Sequence, residues 1–121
     1  MRVQQSSTPV VKRTARRSIQ SGGWTIDPVG YTLKHRGQPV WLSLKEFALL
    51  LYLASHPDRV VTRSELLRQI WGTESFGGTR AVDLHVQRLR RKLEGEGDVL
   101  IRSAGVGRYQ FGGYELFGEE Q

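Results

Sequence analysis

The segment Thr79 to Leu93, TRAVDLHVQRLRRKL, constrains the fold of this chain more than any other. Its apolar residues Val82, Val86, Leu89 and Leu93 recur at helical spacing. At about 100° per residue they form one narrow stripe along a helix. Such a stripe predicts a helix that packs on a hydrophobic core.

The opposite side of this helix is predicted to be solvent-facing and almost entirely positive. It carries Arg80, Leu84, Gln87, Arg88 and Arg91, with His85, Arg90 and Lys92 on its flanks. An α-helix fits the major groove of DNA, where arginine can bond guanine O6 and N7 together. Leu84 suits contact with a thymine methyl group. The alternative is an ordinary amphipathic surface helix whose arginines only promote solubility.

The formal net charge of +6 is distributed unevenly over the 121 residues. Residues 1–21 hold five basic residues and no acidic one, so the rest of the chain is nearly neutral. Within residues 22–121, the segment 80–94 holds five basic residues and two acidic ones. Concentrated positive charge of this kind is what phosphate binding requires. The length allows one domain of ordinary size and a tail.

Several classes of function are disfavoured by composition. The absence of cysteine excludes disulfides, thiolate metal ligands and thiol catalysis. No apolar run approaches the roughly 18 residues of a membrane span, and a cytoplasmic location is expected. The three histidines fall on separate predicted elements, so neither a metal nor another cofactor is expected. No grouping of side chains suggests an enzyme.

Residues 1–22 are predicted to form a basic, disordered tail or linker. Their Ser- and Arg-rich composition overlaps that of an organellar transit peptide, which is the alternative. Pro9 and the polar residues around it disfavour the amphipathic helix that such a peptide needs. Three short β-prone runs follow and predict a small antiparallel sheet: Trp24–Asp27, Tyr31–Lys34 and Val40–Leu42.

A capping box, Ser43-x-x-Glu46, predicts that a first helix begins after the sheet and ends before Pro57. Its buried stripe is expected to consist of Leu44, Phe47, Leu51 and Ala54. Three tryptophans and a phenylalanine are expected in the core: Trp24, Trp41, Phe47 and Trp71.

A second helix is predicted from Arg63 to about Trp71, because Thr62-x-x-Glu65 repeats the capping pattern. Residues 72–78, GTESFGG, contain too much glycine to continue it. Thr79 is the expected cap of the third helix. Two further strands are predicted around Gly105-Val106-Gly107, at residues 100–103 and 108–111.

The order of these elements is sheet, three helices and hairpin. The segments SLKEFALLLYLASHPDRVVTRSELLRQIWG, TRAVDLHVQRLRRKLE and IRSAGVGRYQF resemble the winged-helix DNA-binding domain of OmpR/PhoB-type bacterial response regulators. That family shows L-T-x-x-E-F-x-L-L, then Val-Val-x-Arg-x-x-Leu, R-T-V-D-V-H-I-x-R-L-R-x-K-L and a G-x-G-Y wing. The likeness covers roughly residues 24–114, with every motif in order.

The resemblance implies an α+β winged helix-turn-helix fold. It has an N-terminal antiparallel β-sheet, a three-helix core and a C-terminal β-hairpin wing. We expect this domain to span residues 23–117, with residues 118–121 as a C-terminal tail. A receiver domain usually precedes it in the family, so the chain is expected to be an excised effector domain or a single-domain regulator.

The resemblance also assigns DNA-binding positions, which in this sequence are Arg80, Asp83, Leu84, His85, Gln87, Arg88, Arg90, Arg91, Ser103 and Arg108. Arg80 and His85 would contact phosphates and Arg88 would reach base edges. Asp83 would accept a hydrogen bond from cytosine or orient Arg80 or Arg88. Arg90 would bind phosphate or cover the sheet with its stem. Arg91 would contact phosphate or remain solvated.

The wing departs from the family pattern. The family carries an arginine just before the G-x-G-Y turn, and this arginine probes the minor groove. Here Ala104 and Gly105 stand in that region, and Arg108 follows the second glycine. Arg108 would replace the missing arginine from the other side of the turn, or the wing would stay outside the groove.

These features together predict a sequence-specific transcriptional regulator that binds double-stranded DNA, with two copies on adjacent direct-repeat half-sites and self-association on DNA. Phe76, in the loop before the third helix, is a candidate contact for RNA polymerase, or it packs back on its own domain. The rival function is a winged-helix module that contacts an acidic protein in a larger assembly.

Overall fold

The computed structural model describes residues 17–72 and 78–113 and the backbone of the short strand Leu116–Phe117. Over these residues a sheet comes first, then helices, then a hairpin. This order confirms the predicted α+β winged helix-turn-helix. In the described part of the chain, no helix is long and apolar enough to cross a membrane.

The N-terminal sheet has five antiparallel strands: β1 Ile19–Ser21, β2 Trp24–Asp27, β3 Thr32–His35, β4 Gln38–Val40 and β8 Leu116–Phe117. Their order across the sheet is β4-β3-β2-β1-β8. The register aligns Ile19, Ile26, Leu33 and Val40 in one row. The first three of these are buried in the core, together with Trp24.

The sheet begins at Ile19, before residue 23, where we expected the domain to start. The strand β1 has only three residues, too few for an alternating pattern to be recognised in the sequence. Its pairing with β2 on one side and with β8 on the other makes it a strand. Long-range pairing, rather than local sequence, therefore sets this boundary.

The first helix, α1, spans Leu44–Ala54 and confirms the predicted capping box. The Ser43 hydroxyl accepts from the Glu46 amide at 3.2 Å, and the Glu46 carboxylate accepts from the Ser43 amide at 2.8 Å. The predicted buried stripe was wrong at Leu44, which is 75% exposed. Leu44 is the first residue of the helix and lies outside the packed region.

The buried surface of α1 is wider than the predicted stripe. It consists of Glu46, Phe47, Leu49, Leu50, Leu53 and Ala54. The helix packs against the third helix, against the strand Arg108–Phe111 and against the end of the second helix. Because these neighbours cover it from several sides, a single stripe underestimates what is buried.

The second helix, α2, begins at the predicted residue but changes geometry midway. Residues Arg63–Leu66 are α-helical, and Leu67–Trp71 form a π-helical turn that was not predicted. The amide of Gly72 closes the wider turn by donating to the Leu67 carbonyl at 3.1 Å. Gly72 has a φ of 79°, a conformation that favours glycine.

The third helix, α3, spans Thr79–Lys92, and we call it the recognition helix. Its predicted stripe is confirmed, because Val82, Val86, Leu89 and Leu93 are all buried. The predicted cap Thr79 was wrong, since Gly78 precedes the helix as its cap. Gly78 adopts a φ of 58°, which threonine disfavours, so Thr79 becomes the first helical residue.

The C-terminal hairpin, which we call the wing, consists of β6 Ile101–Ser103 and β7 Arg108–Phe111. The strand β5, Val61–Thr62, completes a three-stranded sheet in the order β5-β7-β6. The predicted hairpin is confirmed. Its first strand starts one residue late because Gly97–Leu100 form a short helix, α4, that we did not predict.

The predicted aromatic core is correct for Trp24 and Phe47, which are buried. It was wrong for Trp41, which is 78% exposed. Trp41 follows the last residue of the edge strand β4, and no strand of the described sheet lies beyond that edge. Trp71 is half-buried, and its ring meets the ring of His85 at a centroid distance of 5.0 Å.

Candidate nucleic-acid interface

The exposed face of the recognition helix carries five of the predicted DNA-binding residues. They are Arg80, Leu84, Gln87, Arg88 and Arg91. Leu84 is 44% exposed, as its outward position predicts. Among the described residues, the three arginines of this face have no ion-pair or hydrogen-bond partner. Their guanidinium groups are therefore available to an external anion.

Asp83 lies on the same helix but faces the wing and α2. Its Oδ2 accepts from the Arg63 guanidinium at 2.6 Å, and its Oδ1 accepts from the Tyr109 hydroxyl at 2.7 Å. We expected Asp83 to orient Arg80 or Arg88, or to accept from cytosine. In the structure both of its oxygens instead bind residues outside the recognition helix.

Burial and, second, the hydrogen bond to the charged Asp83 together raise the pKa of the Tyr109 hydroxyl from 10.0 to about 12. The hydroxyl therefore stays protonated and continues to donate over the whole physiological pH range. This bond joins β7 of the wing to the recognition helix.

Arg90 links the recognition helix to the other strand of the wing. Its Nη2 donates to the Ile101 carbonyl at 2.6 Å and to the Ser103 hydroxyl at 2.9 Å. Its guanidinium also lies over the Tyr109 ring, 5.6 Å from the centroid. We expected Arg90 to bind phosphate or to cover the sheet with its stem; the contacts observed in the structure are made by its guanidinium. Ser103 is exposed, and its hydroxyl oxygen already accepts from Arg90.

His85 is half-buried beside Trp71. Its Nδ1 donates to the Ala81 carbonyl at 2.8 Å, which leaves Nε2 as the nitrogen that can meet a ligand. The backbone bond and the Trp71 ring hold the imidazole in one orientation.

The side chain of Arg108 folds back over Gly105 in the turn of the wing. A Cβ atom on Gly105 would lie 3.5 Å from Nη1 of Arg108. The guanidinium therefore covers the side of the turn that Gly105 leaves open. Val106, at the tip, is almost fully exposed.

An open groove of about 370 Å³ separates the recognition helix from the wing. It is lined by Arg80, Asp83, Leu84, Gln87, Arg90 and Tyr109.

In residues 17–72 and 78–113, no cluster of three or more His, Asp or Glu side chains could hold a metal ion. Phe76, the predicted polymerase contact, lies outside the described residues.

Sequence reasoning assigned no role to Arg63 and Tyr109, although both lie at this interface. Arg63 occupies the arginine position of the Val-Val-x-Arg-x-x-Leu motif. The dipole of a helix disfavours a cation at its first residue. The position of Arg63 at the first residue of α2 was therefore the available signal that this arginine has a specific partner.

The geometry of a basic helix beside a wing agrees with the comparisons to known proteins. Residues 37–111 match the model of the family described as "Transcriptional regulatory protein, C terminal". The chain belongs to this family. As an OmpR/PhoB-type member it is the DNA-binding effector domain of a transcriptional regulator, which confirms the predicted family and its general function.

Solved structures of the family superimpose on the chain. The response regulator DrrB of Thermotoga maritima, an OmpR/PhoB homologue, is 31% identical with a TM-score of 0.74. That match covers 84% of this chain but only 46% of DrrB. The RstA DNA-binding domain of Klebsiella pneumoniae, solved in complex with the RstA box, is 33% identical with a TM-score of 0.68. The match covers 78% of this chain and 95% of the RstA domain.

A third structure, the DNA-binding domain of CpxR from E. coli, is 27% identical with a TM-score of 0.67. The match covers 78% of this chain and 94% of the CpxR domain. The matches to RstA and CpxR thus cover nearly the full length of two isolated DNA-binding domains.

Proposed function

We propose that this effector domain binds double-stranded DNA sequence-specifically, with the recognition helix in the major groove and the wing beside the adjacent minor groove. One observation carries the proposal: the exposed face of the recognition helix has three arginines without a partner in the described structure. A helix face that only promotes solubility usually carries both positive and negative side chains, whereas this face carries arginines around an exposed leucine.

Base recognition is assigned to the middle of this face. Arg88 donates to guanine O6 and N7, and Gln87 to a neighbouring base edge. Leu84 packs against a thymine methyl group. These three residues are exposed and lie within two turns of one another on the same helix.

Phosphate contacts are assigned to the ends and flank of the helix. Arg80 lies in the first turn and Arg91 in the last, so they reach the backbone on opposite sides of the groove. His85 presents Nε2 from the flank. The roles of Asp83, Arg90 and Ser103 are indirect, because their polar groups already bind within the protein.

Arg108 is assigned to the minor groove beside the wing. Its guanidinium covers Gly105 from the far side of the turn, which supports the replacement of the family arginine. A narrow A·T-rich minor groove has an enhanced negative potential that attracts arginine.

We further propose that two copies bind adjacent direct-repeat half-sites and associate on the DNA. A single module makes few base contacts, so a second copy supplies the remaining discrimination. Contact between Phe76 and RNA polymerase stays a prediction. We also propose that the protein acts in the bacterial cytoplasm, because the DNA that it is proposed to bind lies there.

Selection of bound duplexes from a random pool tests the proposal directly. We expect one enriched motif that repeats in the same orientation, with one copy of the protein on each repeat. Enrichment of no motif would contradict sequence specificity.

The salt dependence of binding to the selected duplex is the second test. With roughly three to five phosphates neutralised, log affinity should fall against log salt with a slope of about −3 to −4.5. Arg80→Gln should reduce the steepness of that slope by about 1. A flat response would favour the rival function, a protein partner.

A further inference from the structure

The recognition helix carries one carboxylate, Asp83, on the side that borders the groove to the wing. Its side chain is 35% exposed. If this helix enters DNA, Asp83 comes close to phosphates, and an unpaired carboxylate there is repelled by them. The affinity of the domain therefore depends on what neutralises Asp83.

Arg63 at the start of α2 lies against this carboxylate. Its Nη1 is 2.6 Å from Oδ2, and the Tyr109 hydroxyl occupies the other oxygen. Only Arg63 brings a positive charge, because Tyr109 is neutral. The pair is therefore close to neutral as seen by an approaching phosphate.

Arg63 also holds the turn of the wing. Its backbone amide donates to the Gly107 carbonyl at 2.8 Å. A Cβ atom on Gly107 would lie 2.7 Å from Nε of Arg63, too close for any other residue without a shift. One residue thus contacts the recognition helix through its side chain and the wing through its backbone.

We propose that Arg63 is a positioning residue for DNA binding, which neutralises Asp83 on the recognition helix and sets the wing turn against that helix. The inference rests on the proposed function. It assigns Arg63 its effect through Asp83, without a contact of its own to DNA.

Rescue in a double variant tests this. Arg63→Gln should weaken binding to the selected duplex about tenfold at low salt, because it leaves the Asp83 charge uncompensated. Arg63→Gln with Asp83→Asn has the same net charge as the parent protein. Its affinity should return to within about threefold of the parent, with the same salt slope.

Arg59→Gln is the matched control. Arg59 also pairs with a carboxylate, Glu65, which lies on α2 and not on the recognition helix. This variant removes the same charge from the protein, so its expected loss of affinity is less than about threefold. Equal losses in Arg59→Gln and Arg63→Gln would overturn the proposal, since net charge alone would then explain them.

A double variant that binds as weakly as Arg63→Gln would also overturn it, because Arg63 would then contact DNA directly or serve only the fold. Thermal unfolding of each protein separates these two readings. If the parent protein binds no duplex at any salt concentration, the proposed function fails and the role of Arg63 fails with it, whereas failed rescue in a parent protein that does bind overturns the role of Arg63 alone.

Discussion

Arg90 and Ile101 join the recognition helix to the wing through two hydrogen bonds. The Ile101 carbonyl accepts from Nη2 of Arg90 at 2.6 Å and from Nε at 3.1 Å. Ile101 is fully buried, so its carbonyl has little access to water. The bonds to Arg90 satisfy a backbone acceptor that would otherwise be buried without a partner.

Arg88 and Arg90 lie two residues apart on the same helix, but Arg90→Ala and Arg88→Ala should have different effects on stability and on DNA binding. Arg90→Ala should lower the free energy of unfolding by about 1–3 kcal/mol and weaken binding to all duplexes alike. Arg88→Ala should leave stability unchanged and lose about 1–3 kcal/mol of discrimination at one base pair. Urea unfolding and competition binding measure the two effects. Loss of stability in Arg88→Ala would contradict its assignment to the DNA.

Leu84 should detect a single methyl group on the DNA. Replacing the contacted thymine by uracil should cost the parent protein about 0.8 kcal/mol, the value of one buried carbon, and should cost Leu84→Ala almost nothing. Fluorescence titration of the two duplexes measures the difference. Val99→Ala, an exposed apolar residue on α4, is the control and should keep the full preference for thymine. If the parent protein binds both duplexes equally, Leu84 does not touch a methyl group.

Tyr109 should make the fold sensitive to alkali. Burial and Asp83 raise its pKa from 10.0 to about 12 in the folded protein. Its contribution is complete below pH 10 and is lost as pH rises towards 12, because the unfolded chain then releases the proton more easily. The difference in unfolding free energy between the parent and Tyr109→Phe should shrink over that range.

Tyr52 does not disturb this comparison. Burial and its hydrogen bond to Glu65 also raise the pKa of Tyr52, but the residue is the same in both proteins. Tyr31→Phe, at an exposed position, is the control for the loss of a tyrosine hydroxyl. A Tyr109→Phe difference that does not change between pH 9 and 12 would show that the hydroxyl bond is absent.

Lys92 should stabilise the fold through the buried carboxylate of Glu46. Nζ of Lys92 lies 2.7 Å from Oε1 of Glu46, whose side chain is 3% exposed. Burial alone raises the pKa of Glu46, but the bonds from Lys92 and Ser43 outweigh it, so the pKa is lowered overall. Lys92→Met should therefore cost about 1–3 kcal/mol at pH 7.

This cost should disappear in acid. Because the pKa is lowered in the folded state, the stabilisation is present above about pH 4.5 and is lost as pH falls below it. Urea unfolding at pH 7 and pH 3 measures the change. Arg91→Met removes an exposed cation next to Lys92 and should cost little at either pH. Equal destabilisation by the two variants would contradict the role of the ion pair.

Local patterns predicted most of the helical structure. The stripe from Val82 to Leu93 and the cap at Ser43 depend on residues within a few positions of each other, so both could be derived before any fold was known. Trp41 and Leu44 could not be placed in this way. Leu44 is the first residue of α1, and Trp41 belongs to the predicted run Val40–Leu42, of which only Val40 lies in the observed strand; no described neighbour covers either side chain.

Helical periodicity orders residues along one segment, so it is enough to predict which side of the recognition helix faces the core and which side is cationic. The motifs and their order also indicate the family. Which polar residues of that helix remain available to an external ligand depends on how the other elements pack against it. Asp83 and Arg90 bind Arg63, Tyr109 and Ile101, and these partners lie on other elements. A hydrogen bond between distant segments depends on how the elements pack, and periodicity within one helix carries no information about it.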